Sequence, residues 1–287
     1  MRKLFTVALI ALATGCSVFG WDDFTSDPQA ANDGGATDGA PGNIDGATDS
    51  NTPGSDGSGG GDAGPSGPFC KTVGAGAALC DDFEEPGTFT GKWPEQDNYL
   101  GSLEVKDGIG FAGTRGLEFT ASPVANDKNG RILLGWVTPS LASSVDAEVA
   151  VKLTSLPPTG YLAGPLYIQM DGYKGGYARL GFNLDGTGTL VVNPVVFPPN
   201  GGAAISSGTK TVTTLVVGTW TRIRIVVELA KSPPSVYAYA DGSLKQELPL
   251  VDFEPATVNV RIGAQFVGTV DGGTIGMVLD EARASWK

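Results

Sequence analysis

Residues 219–242 read TWTRIRIVVELAKSPPSVYAYADG, and this stretch decides the fold. From Trp220 to Glu228 the side chains alternate, with Trp220, Arg222, Arg224 and Val226 on one side and Ile223, Ile225 and Val227 on the other. That is the period of a strand. Pro233-Pro234 interrupts the chain, and then Val236, Ala238 and Ala240 alternate with Tyr237, Tyr239 and Asp241. Asp241-Gly242 supplies the next turn. A long hairpin with one apolar side needs a second layer to cover it, so the pattern predicts a sandwich of sheets.

The same punctuation runs outward in both directions. Candidate strands are Leu79 to Glu84, Ser102 to Lys106, Gly116 to Ala121, Arg131 to Val137, Val145 to Leu153, Leu162 to Asp171 and Tyr177 to Asp185. Thr189 to Asn193, Val212 to Val217, Val258 to Phe266 and Ile275 to Trp286 follow the same rule. No segment keeps a 3.6-residue apolar period. Residues 69–287 therefore read as one all-β domain rather than two.

Upstream of Phe69 the composition changes. Arg2-Lys3 followed by LFTVALIAL is a charged n-region and a short apolar h-region, too short for a permanent membrane span and shaped like an export signal. Residues 17–68 hold nine Asp and no Lys or Arg, among Gly, Ser, Thr, Pro and Ala. Such a segment buries too little apolar surface to offset its ordering entropy and is expected to remain a disordered tether, with an r.m.s. span on the order of 40 Å. Its Asp-Gly pairs lack the interleaved apolar positions of calcium-binding repeats.

The net charge of −12 is thus concentrated in the tether, and residues 69–287 carry 22 acids against 17 bases. No basic patch suits a phosphate backbone, so nucleic acid is not an expected partner. The chain has no His, which removes imidazole-dependent nucleophile systems and most zinc sites. Cys70 and Cys80 are close enough for a disulfide worth about 3 kcal/mol in an oxidising compartment; two buried free thiols are the alternative.

Two resemblances add to this reading. Ala13-Thr14-Gly15-Cys16 resembles the lipobox of bacterial lipoproteins, which implies cleavage before Cys16 and its lipidation. Leu12 stands one place earlier than that pattern's leucine, so a plain signal-peptidase cut is the alternative. Ser17 after the cysteine suits onward export, which places the protein at the outer membrane or cell surface on a lipid anchor. Residues 1–16 are then the signal ending in the lipidated cysteine, 17–68 the linker and 69–287 the folded domain.

That domain resembles the concanavalin A-like jelly roll of laminin G-like domains, legume lectins and laminarinase-type β-glucanases. The resemblance lies in LCDDFEEPGTFTGKW (79–93), in the hairpin quoted above, and in IGMVLDEARASW (275–286). It implies a two-sheet antiparallel jelly-roll sandwich. It also implies a structural Ca2+ on the convex side, with Asp280 as side-chain ligand and Asp82 or Glu84 nearby; oxygen donors suit that cation. Alternatively, Asp280 caps a strand end or pairs with Arg283 or Arg261.

The most polar sheet surface lies on LYIQMDGYKGGYARLGFN (166–183). Closing Gly172 to Gly176 as a hairpin loop pairs Asp171 with Tyr177 and Gln169 with Arg179, so that Tyr167, Gln169, Asp171, Tyr177, Arg179 and Asn183 share one surface. Aromatic faces stack on sugar rings, and planar amide, guanidinium and carboxylate groups take up hydroxyls. A non-catalytic glycan-binding or adhesion module, monomeric and with a polysaccharide partner, is the expected function. An ordinary solvated face, serving a structural or protein-interaction lipoprotein, is the alternative. A glycosidase is disfavoured, because no strand carries the paired acids it needs. A polyuronate lyase using Gln169, Tyr177 and Arg179 is a third reading, although such lyases generally also use His.

Overall fold

The computed structural model describes residues 69–287 apart from 73–75, 86–91, 100, 113–114, 122–129, 138–141, 158–160, 173–175, 200–201, 251–254 and 269–272. The chain divides into two compact units, Met1–Gly59 and Gly60–Lys287, and all described residues belong to the second. The expected export signal, Cys16 and the tether lie outside the described residues.

A 3-10 turn at Phe69–Lys71 precedes seventeen described strands. In chain order they are β1 (Leu79–Asp81), β2 (Glu95–Tyr99), β3 (Gly101–Asp107), β4 (Arg115–Ala121), β5 (Gly130–Val137), β6 (Ser144–Ser155), β7 (Tyr161–Gly172), β8 (Tyr177–Asp185) and β9 (Thr189–Val192). There follow β10 (Val195–Phe197), β11 (Ile205–Ser206), β12 (Lys210–Thr214), β13 (Trp220–Glu228), β14 (Ser235–Ala240), β15 (Ser243–Pro249), β16 (Pro255–Gly268) and β17 (Ile275–Trp286). They form two antiparallel sheets. The first runs β15-β14-β13-β6-β17-β4-β3, with β1 added along β17; the second runs β11-β10-β8-β7-β16-β5-β2, with β9 paired on β8 and β12 on β9. This is an all-β, two-sheet antiparallel jelly-roll sandwich.

The opening hairpin forms as its alternation requires. β13 and β14 pair from Ile223↔Ala240 to Glu228↔Ser235, and Asp241 and Gly242 both take positive φ (48° and 73°) in the turn to β15, the conformation a two-residue hairpin turn needs. Ile223, Ile225 and Val227 are fully buried. With Val145, Val149, Val151 and Leu279 they form the inner face of the first sheet, opposite Leu166, Ile168, Leu180, Phe182 and Val260 of the second. Each such side chain contributes roughly 1.5–3 kcal/mol of hydrophobic stabilisation.

Polar contacts hold the opening motif of the domain together. Asp81 is 3% exposed. Its Oδ2 accepts the Trp93 indole N–H at 2.8 Å, and its Oδ1 accepts the Phe83 amide at 3.1 Å and the Lys92 ammonium at 3.3 Å. The spacing from Asp81 to Trp93 therefore reflects a buried aromatic whose one donor needs an acceptor. Cys70 and Cys80 are disulfide-bonded, with Cα atoms 5.5 Å apart.

Four described strands have no counterpart in the sequence reading: β2, β10, β11 and β15. All lie at or near sheet edges, where one side of the backbone is unpaired and apolar alternation is weakly demanded.

Candidate functional site

The two outer faces of the sandwich are built differently. On the first sheet, β13 and β6 place Arg222, Arg224, Asp146 and Glu148 side by side by the register Arg222↔Ala150, Arg224↔Glu148 and Val226↔Asp146. Arg222 donates to Glu148 Oε1 at 2.9 Å and to Glu281. Arg283 donates to Glu148 Oε2 at 2.8 Å, and Arg224 forks onto Asp146 with two bonds of 2.6 Å. The Arg222 guanidinium lies 5.2 Å from the Phe69 ring centroid and 5.1 Å from that of Phe111. This surface is occupied by the protein itself.

The proposed cation ligands lie on the same sheet. Asp280 is 1% exposed and accepts the amides of Phe111 and Glu281, each at 2.7 Å. Burial pushes its carboxyl up to about 7, helped by the neighbouring charges of Glu281 and Glu84. Among the described residues no ion pair forms on Asp280; Arg261 and Arg283, its alternative partners, are held by Glu95 and Glu148. Glu84 accepts the Arg115 amide at 2.9 Å, and Asp82 accepts the Cys70 amide at 3.2 Å. No three His, Cys, Asp or Glu side chains cluster as metal ligands among the described residues.

The outer face of the second sheet carries the residues predicted from 166–183. β7 and β8 pair with Asp171↔Tyr177 and Gln169↔Arg179, the register the hairpin implies, and Tyr167 lies opposite Gly181. On its other edge β7 pairs with β16, which sets Gln169 beside Asn259 and Tyr167 beside Arg261. β5 and β2 extend the row through Arg261↔Gly135 and Gly135↔Glu95. A centre thus forms from five strands, three of which (β16, β5 and β2) lie outside the surface expected from 166–183.

Glycines let this surface lie flat. A Cβ on Gly181 would meet the Tyr167 ring at 2.5 Å, and one on Gly135 would meet Glu95 Oε2 at 2.3 Å. Tyr167 therefore lies down over β8, and Glu95 reaches across β5 to Arg261. Glu95 accepts from Arg261 Nη2 at 2.7 Å and Nε at 3.2 Å, and from Asn259 Nδ2 at 2.7 Å. Arg261 Nη1 donates to Gln169 and Gln265 at 3.2 and 3.0 Å. Gln169 donates to Asp171 at 3.1 Å, which also accepts from Thr257.

Beside this network Tyr177 stacks on Phe197 with centroids 4.4 Å apart, and the Arg179 guanidinium lies 4.8 and 5.2 Å from the two rings. β10 brings Phe197 there by pairing with β8 as an edge strand, so its segment extends the sheet. Asn183 lies further along β8, half-buried, opposite Val191 of β9.

Among the described residues, Tyr167 Oη and Asn259 Oδ1 are buried on this face without a hydrogen-bond partner, as is Arg283 Nε on the first face. Tyr167 and Asn259 are 7% and 9% exposed. A buried polar atom left unpaired costs about 1–3 kcal/mol, so a ligand able to donate and accept hydrogen bonds recovers that cost. Burial also pushes the Tyr167 hydroxyl above its ordinary range. It keeps its proton at neutral pH.

No protein-family model matches the sequence, and no curated protein matches it either. Solved structures do. The cellulose-induced protein Cip1 is similar at 18% identity and TM-score 0.50, over 72% of this chain and 96% of that one. The likeness is one of fold. Alginate lyase A1-II′, of polysaccharide lyase family 7, matches at 15% identity and TM-score 0.45, over 64% of this chain and 93% of its own. An endo-1,3-β-glucanase from Streptomyces sioyaensis matches at 12% and 0.46, over 72% and 95%.

Glu95, Asn259, Arg261, Gln265, Thr257 and Phe197 were absent from the predicted site. For Asn259, Arg261 and Gln265 a signal existed, because Val258, Val260 and Ile262 alternate with Asn259 and Arg261 in a predicted strand. What single-sequence alternation does not contain is the pairing of β16 with β7 across the 82 residues (173–254) between Gly172 and Pro255.

Proposed function

We propose that this is a glycan-binding module, exported and held at the outer surface of a bacterial envelope by lipid on Cys16, with the outer face of the second sheet as its binding surface. The carrying observation is the pair of buried unpartnered atoms, Tyr167 Oη and Asn259 Oδ1, beside the stacked Tyr177 and Phe197. Donors, acceptors and aromatic surface within one strip are what a sugar polymer uses. The solved structures similar in fold include one described as cellulose-induced, an alginate lyase and a glucanase, which agrees with this reading without carrying it.

A lyase is less well supported. Of the residues that reading would use, Arg179 lies over the rings of Tyr177 and Phe197, and Gln169 is tied to Asp171 and Arg261. A glycan array with the full chain and with Tyr177→Ala tests the proposal. Binding to at least one polysaccharide that weakens tenfold or more in the variant is expected; no binding by the wild type would end it. Incorporation of labelled fatty acid by the wild type and not by Cys16→Ser tests the anchor.

A further inference from the structure

We infer that the polymer this face takes is neutral and hydroxyl-rich rather than a polyuronate. The inference rests on the glycan-binding reading and concerns the charge of the ligand.

A uronate carboxylate is best recognised by an arginine fork through two parallel hydrogen bonds. On this face the central fork is already filled by an internal carboxylate. Arg261 is half-buried and gives Nη2 and Nε to Glu95 at 2.7 and 3.2 Å. Its Nη1 is directed to Gln169 and Gln265 at 3.2 and 3.0 Å. A uronate would have to displace Glu95 and leave two carboxylates beside one guanidinium in a partly desolvated site, where like charges repel strongly. The packing holds Glu95 in place, because Gly135 gives it room to lie across β5 and Asn259 Nδ2 donates to the same oxygen at 2.7 Å.

The rest of the face agrees. Its described charged side chains are Arg179 and Arg261 against Glu95, Asp171, Asp97 and Asp185, by the registers of β2, β5, β7, β8 and β16. Arg179 lies over the rings of Tyr177 and Phe197. The atoms left for a ligand, Tyr167 Oη and Asn259 Oδ1, match sugar hydroxyls, and Asn259 Oδ1 can only accept. A carboxylate offers it nothing; a hydroxyl does.

The test is binding of the full chain to laminarin, a neutral β-glucan, and to cellulose, alginate and pectate, each at 50 and 500 mM NaCl. Binding to a neutral probe at least tenfold tighter than to either polyuronate, changing less than about twofold with salt, is expected. Glu95→Gln should free the Arg261 fork and raise alginate affinity at least fivefold in a salt-sensitive way, and Glu95→Gln with Arg261→Gln should abolish that gain. Tighter wild-type binding to alginate or pectate, lost at 500 mM NaCl, would overturn the inference and leave the glycan-binding reading standing. Failure to bind any polysaccharide, on these probes and on the array, would remove both. If Glu95→Gln unfolds, as its circular dichroism would show, the wild-type comparison alone decides.

Discussion

The two outer faces of one sandwich arise from the same alternation of inward apolar and outward polar residues, yet they differ in how far the protein pairs its own polar groups. On the first sheet every arginine finds an acid of its own row: Arg222 with Glu148 and Glu281, Arg283 with Glu148, Arg224 with Asp146. Phe69 and Phe111 then cover Arg222. On the second sheet the ion pair of Arg261 with Glu95 forms, but Tyr167 Oη and Asn259 Oδ1 stay unpaired. Polar residues on a sheet do not by themselves mark a binding surface. What marks the second face is the kind of group left incomplete, a hydroxyl and an amide oxygen that a sugar can match, where the first leaves one edge of Arg283, a guanidinium already paired to Glu148.

The comparison can be broken by mutation. On the first sheet Glu148→Ala should be the most damaging change, because it leaves Arg222 and Arg283 short of a buried partner; a loss of about 3–4 kcal/mol in urea unfolding is expected, with no change in sugar binding. A cost below about 1 kcal/mol would mean that this network is not structural.

Asp280 gives the next largest effect, through pH. Its carboxyl is raised to about 7 in the folded protein, against an ordinary value near 4. The native state then holds a proton that the unfolded chain has lost, so its stabilising contribution is full below about pH 4 and declines as pH rises through about 7. The change should amount to roughly 2–4 kcal/mol between those limits. Asp280→Asn should flatten that slope. If calcium binds at Asp280 and Glu84, millimolar Ca2+ at pH 8 should raise the thermal midpoint, and chelation should reverse the rise. Equal midpoints in both conditions would leave Asp280 as an anchor for the Phe111 amide alone.

Removing the Cys70–Cys80 disulfide, by Cys70→Ser with Cys80→Ser, should cost roughly 2–3 kcal/mol for a loop of this length. It should loosen Phe69 from Arg222 and leave the second face intact. The smallest effect on stability belongs to Tyr177→Ala, expected to cost under about 1.5 kcal/mol for a half-buried ring while removing most of the binding.

Much of this architecture was legible. Period-two alternation located β8, β13 and β17 with their observed limits, because their inward residues are continuous apolar rows. The loop from Gly172 to Gly176 fixed the register of β7 on β8, since a short hairpin allows few alternatives. β2 was invisible. EQDNY has no apolar side, and it pairs on β5 as an edge where none is required. The site suffered for the same reason. Asp171 and Gln169 meet Tyr177 and Arg179 through a local hairpin, whereas Glu95, Asn259 and Arg261 join them only through long-range pairings of β16 and β5. Alternation says which way a residue faces and not which strand lies beside it.

The most direct test is the affinity of the full chain for laminarin, measured by titration calorimetry, for the wild type and for Tyr177→Ala, with both melting curves in hand. The account predicts saturable binding by the wild type, a loss of tenfold or more in the variant, and two similar cooperative melting curves. Equal affinities in the two proteins, both folded, would contradict it, because the ligand would then lie somewhere other than the outer face of the second sheet.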